Sequence, residues 1–303
     1  MPGEENRTIL MVAYGSLLSG YGILAERRGG GSKLVARDAF PVTLANARRG
    51  LAKPSSHGDY LAMDLEPIAV DQPIIARRAG AVGDGLGVLG LEFERTWAPM
   101  IARREEYSPE KFCELIALAD RAHKPLGEYL LAIAERSRFD LLAYRTALRE
   151  LLGYTSEGYV FHPIPFADGR VGVAAIGSGF DGSGDPAVRS RRNQCGMDRL
   201  LSLPEALALN RPSLKLERAG QIGYFVECLL GAVHGLGVRD LVENLAPESA
   251  LGREVTRRIT AAVAGERARF LSATSLDAAR YRAAFRELGD PRLRPFFAAN
   301  GHG

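Results

Sequence analysis

The sequence predicts an α+β fold, a small mixed β-barrel or sheet decorated by helices. Three observations predict it. The first third of the chain carries short apolar or alternating segments bounded by Gly, Pro or Asp, the mark of strands. From Pro109 to Leu152 apolar residues recur at helical spacing instead. Strand character then returns over 159–176, and the chain from Met197 onward reads as helix. This order lacks the regular strand–helix alternation of a doubly wound sheet. It makes 109–153 a helical insertion into a core formed by 1–108 and 154–245, with 246–303 a C-terminal helical extension.

The elements follow in order. Ile9–Tyr14 is an apolar run of strand length that stops at Tyr14-Gly15-Ser16-Leu17. Ala39–Ala47, Tyr60–Leu65 and Gly87–Phe93 are the next strands, separated by loops at 29–32 and 53–58. Thr96 is a good N-cap for a following helix, and Pro99 falls in its tolerant first turn. Phe112, Leu115, Ile116 and Ala119, then Leu141, Leu142, Leu148, Leu151 and Leu152, predict two or three helices interrupted at Pro125-Leu126-Gly127. Tyr159–Phe166 and Arg170–Ile176 read as a hairpin turned by Ala167-Asp168-Gly169. The Gly-rich stretch 177–186 lacks the Lys-Ser/Thr of a P-loop and the spacing of an EF-hand, and reads as a surface loop or lid. Helices are predicted at roughly 197–209, 213–235, 238–245, 248–271 and 275–287, with breaks at Pro204, Pro212 and Pro247.

Composition narrows the function classes. The chain has 303 residues, 46% hydrophobic and 25% charged, so it can bury a sizeable core. Net charge is only +3, and the Arg pairs are scattered rather than gathered on one face, which argues against a nucleic-acid partner. Cys113, Cys195 and Cys228 form neither a metal pair nor a disulfide framework; reduced thiols in a cytoplasmic protein are the simplest account. The N-terminus reads Met-Pro-Gly-Glu-Glu, an acidic and therefore poor signal peptide, and no stretch is apolar for long enough to span a membrane. The five histidines show no metal spacing; His162 is read as ending a strand, and His57, in a loop, is the one placed to approach a site. Cys113 and Cys228 lie on apolar helix faces and read as core.

Two places suggest chemistry. A strand ending in Gly-Ser leaves backbone N–H groups pointing together, a ready site for a carboxylate or phosphate, although an ordinary turn has the same sequence. Trp97, Ile101 and Glu105 sit at i, i+4 and i+8, so Glu105 ends an apolar row at the edge of the buried face. A carboxylate there loses solvation, its pKa rises, and it suits general acid–base work near neutral pH. The alternative is a helix-end carboxylate paired to Arg104 or another Arg. Glu106, about 100° further around the helix, is expected to face solvent.

Several segments, in order, resemble the γ-glutamylcyclotransferase-like superfamily, most closely its ChaC-type branch. Tyr14-Gly15-Ser16-Leu17 matches that branch's YGSL loop. Arg49-Gly50-Leu51-Ala52-Lys53-Pro54 resembles its Arg-Gly-Thr segment with a following Pro, and Gly87-Val88-Leu89-Gly90-Leu91 the strand before its catalytic helix. Arg104-Glu105 with Tyr107-Ser108-Pro109 is similar to that helix's end. Gly220-Gln221-Ile222-Gly223-Tyr224-Phe225 and Leu236-Gly237-Val238-Arg239-Asp240 resemble its closing helix. The likeness covers about 8–107 and 157–245. It departs from the pattern at Leu51, where the family has Thr, and at the single residue, Glu106, between Glu105 and Tyr107.

The resemblance implies a γ-glutamylcyclotransferase-like fold and the cyclisation of a γ-glutamyl group to 5-oxoproline, with release of an amine, from glutathione or another γ-glutamyl compound. It implies Glu105 as the acid/base and Tyr14, Gly15, Ser16 and Leu17 as the binding loop, with no metal and no organic cofactor. Arg49 would meet a carboxylate unless it is a surface Arg beside a turn, and Tyr107 or Tyr159 would donate a hydrogen bond to substrate unless it is a packing tyrosine. The expected partner is a small γ-glutamyl molecule, with no nucleic acid and no membrane, and the helical regions could join copies of the chain. A different class of function is a non-catalytic binding or scaffold protein on the same fold, with the helical insertion and tail as interaction surfaces; a cavity filled by the insertion's side chains would favour it. A related acyl transfer on another substrate would share the geometry.

Overall fold

The structure, a computed structural model, describes residues 8–15, 37–55, 60–69, 71–78, 86–154, 156, 159–177, 199–209, 214–229, 239–242, 244–246, 248–259 and 261, with Ala39 by its backbone alone. The strands are β1 (Thr8–Ala13), β2 (Asp38–Ala45), β3 (Ala47–Pro54), β4 (Leu61–Pro67), β5 (Ile75–Arg78), β6 (Leu86–Glu94), β7 (Val160–Pro165) and β8 (Val171–Ile176). The helices are α1 (Ala98–Arg104), α2 (Pro109–Arg121), α3 (Leu126–Arg136), α4 (Leu141–Leu152), α5 (Leu203–Ala208), α6 (Arg218–Leu229) and α7 (Arg239–Val242), followed by helical residues 250–259.

Six strands make one mixed sheet in the order β5-β2-β6-β1-β8-β7. Only β1 and β8 run parallel, in register at Met11 and Val173; the other neighbours are antiparallel. The sheet curls into a half-barrel, as twisted sheets of this size do. Its two edge strands come together at one point, where the Ala167 N–H donates to the Ala76 carbonyl at 2.9 Å. Between β6 and β8 sits β1, whose near-continuous apolar run suits a strand covered on both faces.

The remaining pair, β3 and β4, forms a separate hairpin laid against β6 and β8, across the middle of the large sheet. The chain enters it through Asn46, in the left-handed region at φ 57. The Asn46 side chain ties the loop that leaves β4, donating to Ala69, Gln72 and Pro73 carbonyls and accepting from the Ala69 N–H at 2.7 Å. Neither β3 nor β5 was expected. Their Arg and Lys residues obscure the apolar signal, and in β3 distant carboxylates neutralise them.

Residues 109–153, expected as an insertion and called so below, form three helices. Ser108 caps α2 by accepting from the Lys111 N–H at 3.2 Å, Asp140 caps α4 by accepting from Ala143 at 2.7 Å, and α4 stops at Gly153 with φ 61. α3 lies on β7, β8 and β1. It approaches so closely that a Cβ at Gly127 would stand 2.1 Å from the Val171 carbonyl oxygen. Leu115, Leu130 and Tyr144 of these helices belong to the same buried core as the strands.

Some expectations shift. Thr96 caps nothing: a 3₁₀ turn over Arg95–Trp97 precedes α1, which starts at Ala98. His162 lies inside β7 rather than at its end, and Cys113 is exposed while Cys228 is buried. Residues 199–201, expected in a helix, are not helical; Leu201 instead bridges to Leu51, the two exchanging backbone hydrogen bonds at 2.8 and 2.9 Å. The loop at 178–186, Cys195, His57 and the helix at 275–287 lie outside the described residues. Among the described residues no helix is long and apolar enough to cross a membrane.

Candidate active site

A cavity of about 90 Å³ opens where β1 ends. One wall is the strand end itself, Ala13, Tyr14 and Gly15. The hairpin contributes Lys53 of β3, Ser55 just beyond it, and Tyr60, Ala62 and Met63 at the start of β4. The opposite wall is the end of α1, Arg104, Glu105 and Glu106, with Tyr159, Ala175 of β8 and Tyr224 of α6 completing the lining. No residue of 109–153 lines it.

The tyrosines are braced by the backbone. The Tyr14 hydroxyl donates to the Ala175 carbonyl, and the Tyr159 hydroxyl donates to the Met63 carbonyl at 2.5 Å. The Tyr224 hydroxyl accepts from the Met63 N–H at 2.8 Å, and its ring stacks on Tyr60 with centroids 4.7 Å apart. Burial, followed by the charges of Asp64 and Glu105, holds the Tyr14 phenol well above its usual range. Burial does the same for Tyr159 and Tyr224. These phenols therefore stay protonated near neutral pH. Gly15 suits this packing, since a Cβ there would lie 3.1 Å from the Tyr224 oxygen and 3.3 Å from the Met63 Cβ, tighter than usual contact.

Arg104, Glu105 and Glu106 form the α1 wall, and Lys53 faces them from β3. Glu105 is the C-cap of α1, its N–H bonded to the Ile101 carbonyl. Its side chain is 15% exposed, with Arg104 Nε at 4.0 Å. Glu106 does not face solvent as helical geometry predicted. The helix has already ended, and Glu106 takes a left-handed backbone at φ 54, which turns its side chain inward to a hydrogen-bonded ion pair with the buried Lys53. The Lys53 ammonium also lies over the Tyr159 ring, 4.2 Å from its centroid.

The structure thus gathers Tyr14, Gly15 and Glu105 around one space. Ser16 and Leu17 lie outside the described residues. Arg49 is placed beneath the corner rather than in the cavity. It makes a two-pronged pair with Asp240 of α7 at 2.8 Å and donates to the Gly87 and Tyr14 carbonyls, so it clamps the end of β1 from behind. Tyr107 points away, into a cluster with Phe112, Tyr154 and Phe161. Sequence reasoning missed Lys53, Glu106, Tyr60 and Tyr224 as lining. It also missed Asp64, fully buried behind the wall, whose carboxylate accepts from the Gly177 and Leu65 N–H groups at 2.8 Å. A lone Asp in the apolar strand LAMDL was the available signal.

Chemically, the arrangement offers a carboxylate for proton transfer in a partly dehydrated space, neutral phenols and a buried ammonium. Among the described residues no group of three or more His, Cys, Asp or Glu side chains could hold a metal ion. Compared with protein-family models, curated proteins and solved structures, the chain matches none.

Proposed function

We propose that this protein is a γ-glutamylcyclotransferase-type enzyme on a γ-glutamylcyclotransferase-like core, acting in the cytoplasm without metal or organic cofactor. The observation that carries the reading is that Glu105 and the Tyr14–Gly15 corner, far apart in sequence, line one cavity that the insertion leaves open. A cavity filled by side chains of 109–153 would have favoured the scaffold reading instead, and none of those residues lines it.

In the proposed reaction Glu105 takes a proton from the α-ammonium of the γ-glutamyl group. The freed amine attacks the γ-carbonyl carbon of the same molecule and closes a five-membered ring. Backbone N–H groups at the β1 corner stabilise the oxyanion. The bond to the leaving amine then breaks as Glu105 returns its proton to that nitrogen, and the second proton of the ring nitrogen passes by way of the same carboxylate to the released amine, which departs as the ammonium. The products are 5-oxoproline and the amine, with no water consumed. Holding a folded substrate between the corner and Glu105 supplies the proximity that ring closure needs.

The test is incubation with glutathione and a panel of γ-glutamyl amines and peptides while 5-oxoproline is measured. Wild type is expected to release it from at least one compound, and Glu105→Gln to lose about 10²- to 10⁴-fold in rate. No 5-oxoproline from any compound would overturn the reading. Turnover that survives Glu105→Gln but not Glu106→Gln would move the acid/base role to Glu106.

A further inference from the structure

We propose that Lys53 is the carboxylate receptor of this cavity and that Glu106 is its resident counter-ion, exchanged or shared when a ligand carboxylate enters. Identifying that carboxylate as the α-carboxylate of a γ-glutamyl group rests on the cyclotransferase reading.

Two independent backbone irregularities bring the pair together. Along β3 the register runs Gly50 opposite Asp64 and Leu51 opposite Met63, but then Lys53 opposite Ala62. Ala52 is the extra residue of a β-bulge. A regular strand would have set Lys53 opposite Leu61; the bulge moves it one position and so to the other face of the hairpin. On the facing wall Glu106 adopts its left-handed backbone, a conformation that costs energy for a residue with a Cβ. Either feature alone would re-aim one side chain. Together they put opposite charges in contact at a cavity wall.

Stability does not explain the pair. Lys53 is 1% exposed, and a buried ion pair is often replaceable by apolar side chains without loss. Nor is Lys53 confined to its partner. An ammonium has three N–H donors, of which Glu106 accepts one among the described residues, and the group lines open space. Among the described lining residues the charged ones, Lys53, Arg104, Glu105 and Glu106, sum to zero, so a zwitterionic head group suits the charge of this lining. With its carboxylate on Lys53, the neighbouring α-ammonium falls to the acidic pair 105–106, where the proposed base is. The favoured substrates therefore carry a free α-carboxylate, and α-amides or α-esters are excluded.

The probes are 5-oxo-L-proline and 5-oxo-L-prolinamide, which differ only in that carboxylate, titrated calorimetrically into the full chain. Wild type is expected to bind the acid at least tenfold more tightly than the amide. Lys53→Met should erase that preference by weakening the acid alone, and Lys53→Arg, which keeps the charge, should retain it. Should Lys53→Met not fold, Glu106→Gln decides, because removing the competing carboxylate should tighten acid binding. Equal affinities in wild type, or a preference that survives Lys53→Met, would overturn the proposal, as would weaker acid binding by Glu106→Gln. Turnover is scored separately. Lys53-dependent binding with no 5-oxoproline formed overturns the reaction and leaves the receptor; turnover with no carboxylate preference does the reverse.

Discussion

At the cavity, the rings of Tyr14, Tyr60, Tyr159 and Tyr224 stand around open space, whereas on the insertion side Tyr107, Tyr144 and Tyr154 close against Phe112, Phe161 and His162. Both clusters use the same device, a buried tyrosine hydroxyl donating to a strand carbonyl: Tyr14 to Ala175 in one, Tyr144 to Phe161 at 2.7 Å in the other. Both hold a buried cation, Lys53 facing Glu106 in the first and Arg145 held by the Ser156 carbonyl in the second. They differ in what fills the centre. In the insertion cluster it is another ring, with Phe112 and Phe161 stacked 4.0 Å apart. In the cavity no ring among the described residues fills it, and the charged residues at the end of α1 look in. Three consecutive residues divide between the two, with Glu105 and Glu106 toward the cavity and Tyr107 toward the rings. The division occurs because α1 stops at Arg104 and Glu106 reverses the backbone. Buried polarity around space marks a site; the same polarity around a ring marks a core.

That contrast breaks if damage to the packed side reaches the chemistry. The largest effect on the packed side should come from Gly127→Ala. Its Cβ meets a backbone oxygen at 2.1 Å, so either α3 or β8 must move. The expected cost is about 3 kcal/mol, the upper end of ordinary overpacking, read from the urea midpoint. Tyr107→Leu should cost about 2 kcal/mol through lost aromatic contact and a partial void, with the rate of 5-oxoproline release changed less than twofold. A rate loss matching that of Glu105→Gln would erase the distinction between the clusters.

The remaining effect appears only on acidification. Burial pushes His162 down to about 4, and the hydrogen bond of its Nδ1 to the Pro163 carbonyl only partly opposes this. In the unfolded chain the same ring titrates near ~6.5. The unfolded state therefore binds the proton first. The contribution is fully present above ~6.5 and is lost as pH falls toward about 4, by about 1 kcal/mol per pH unit. Denaturation midpoints of wild type and His162→Gln between pH 7 and 4 should diverge accordingly, and parallel curves would refute the assignment.

Much of this was legible in the chain. Apolar strand runs, the Asp-Gly hairpin and the helical periodicity of the insertion are signals of residue type, and they placed β1, β7–β8 and α2–α4. The row Trp97, Ile101, Glu105 pointed at the carboxylate that lines the cavity. What escaped was set by backbone events that carry no residue signature. The bulge at Ala52 contains no Gly or Pro, and Glu106 sits where a Gly would have announced a left-handed turn. β3 was hidden because Arg48, Arg49 and Lys53 find their partners in Glu66, Asp240 and Glu106, pairings that only the folded chain brings together. Arg49 read either as a ligand for a substrate carboxylate or as a surface Arg beside a turn; it is buried, and the carboxylate it holds is that of Asp240.

The most direct measurement is the rate of 5-oxoproline release by Glu105→Gln, taken with its melting temperature on the same preparation. The account predicts a loss of at least about 100-fold in rate. The melting temperature should stay close to that of wild type, because Glu105 lies at the cavity edge and packs no core. Full activity in a folded Glu105→Gln protein would contradict it.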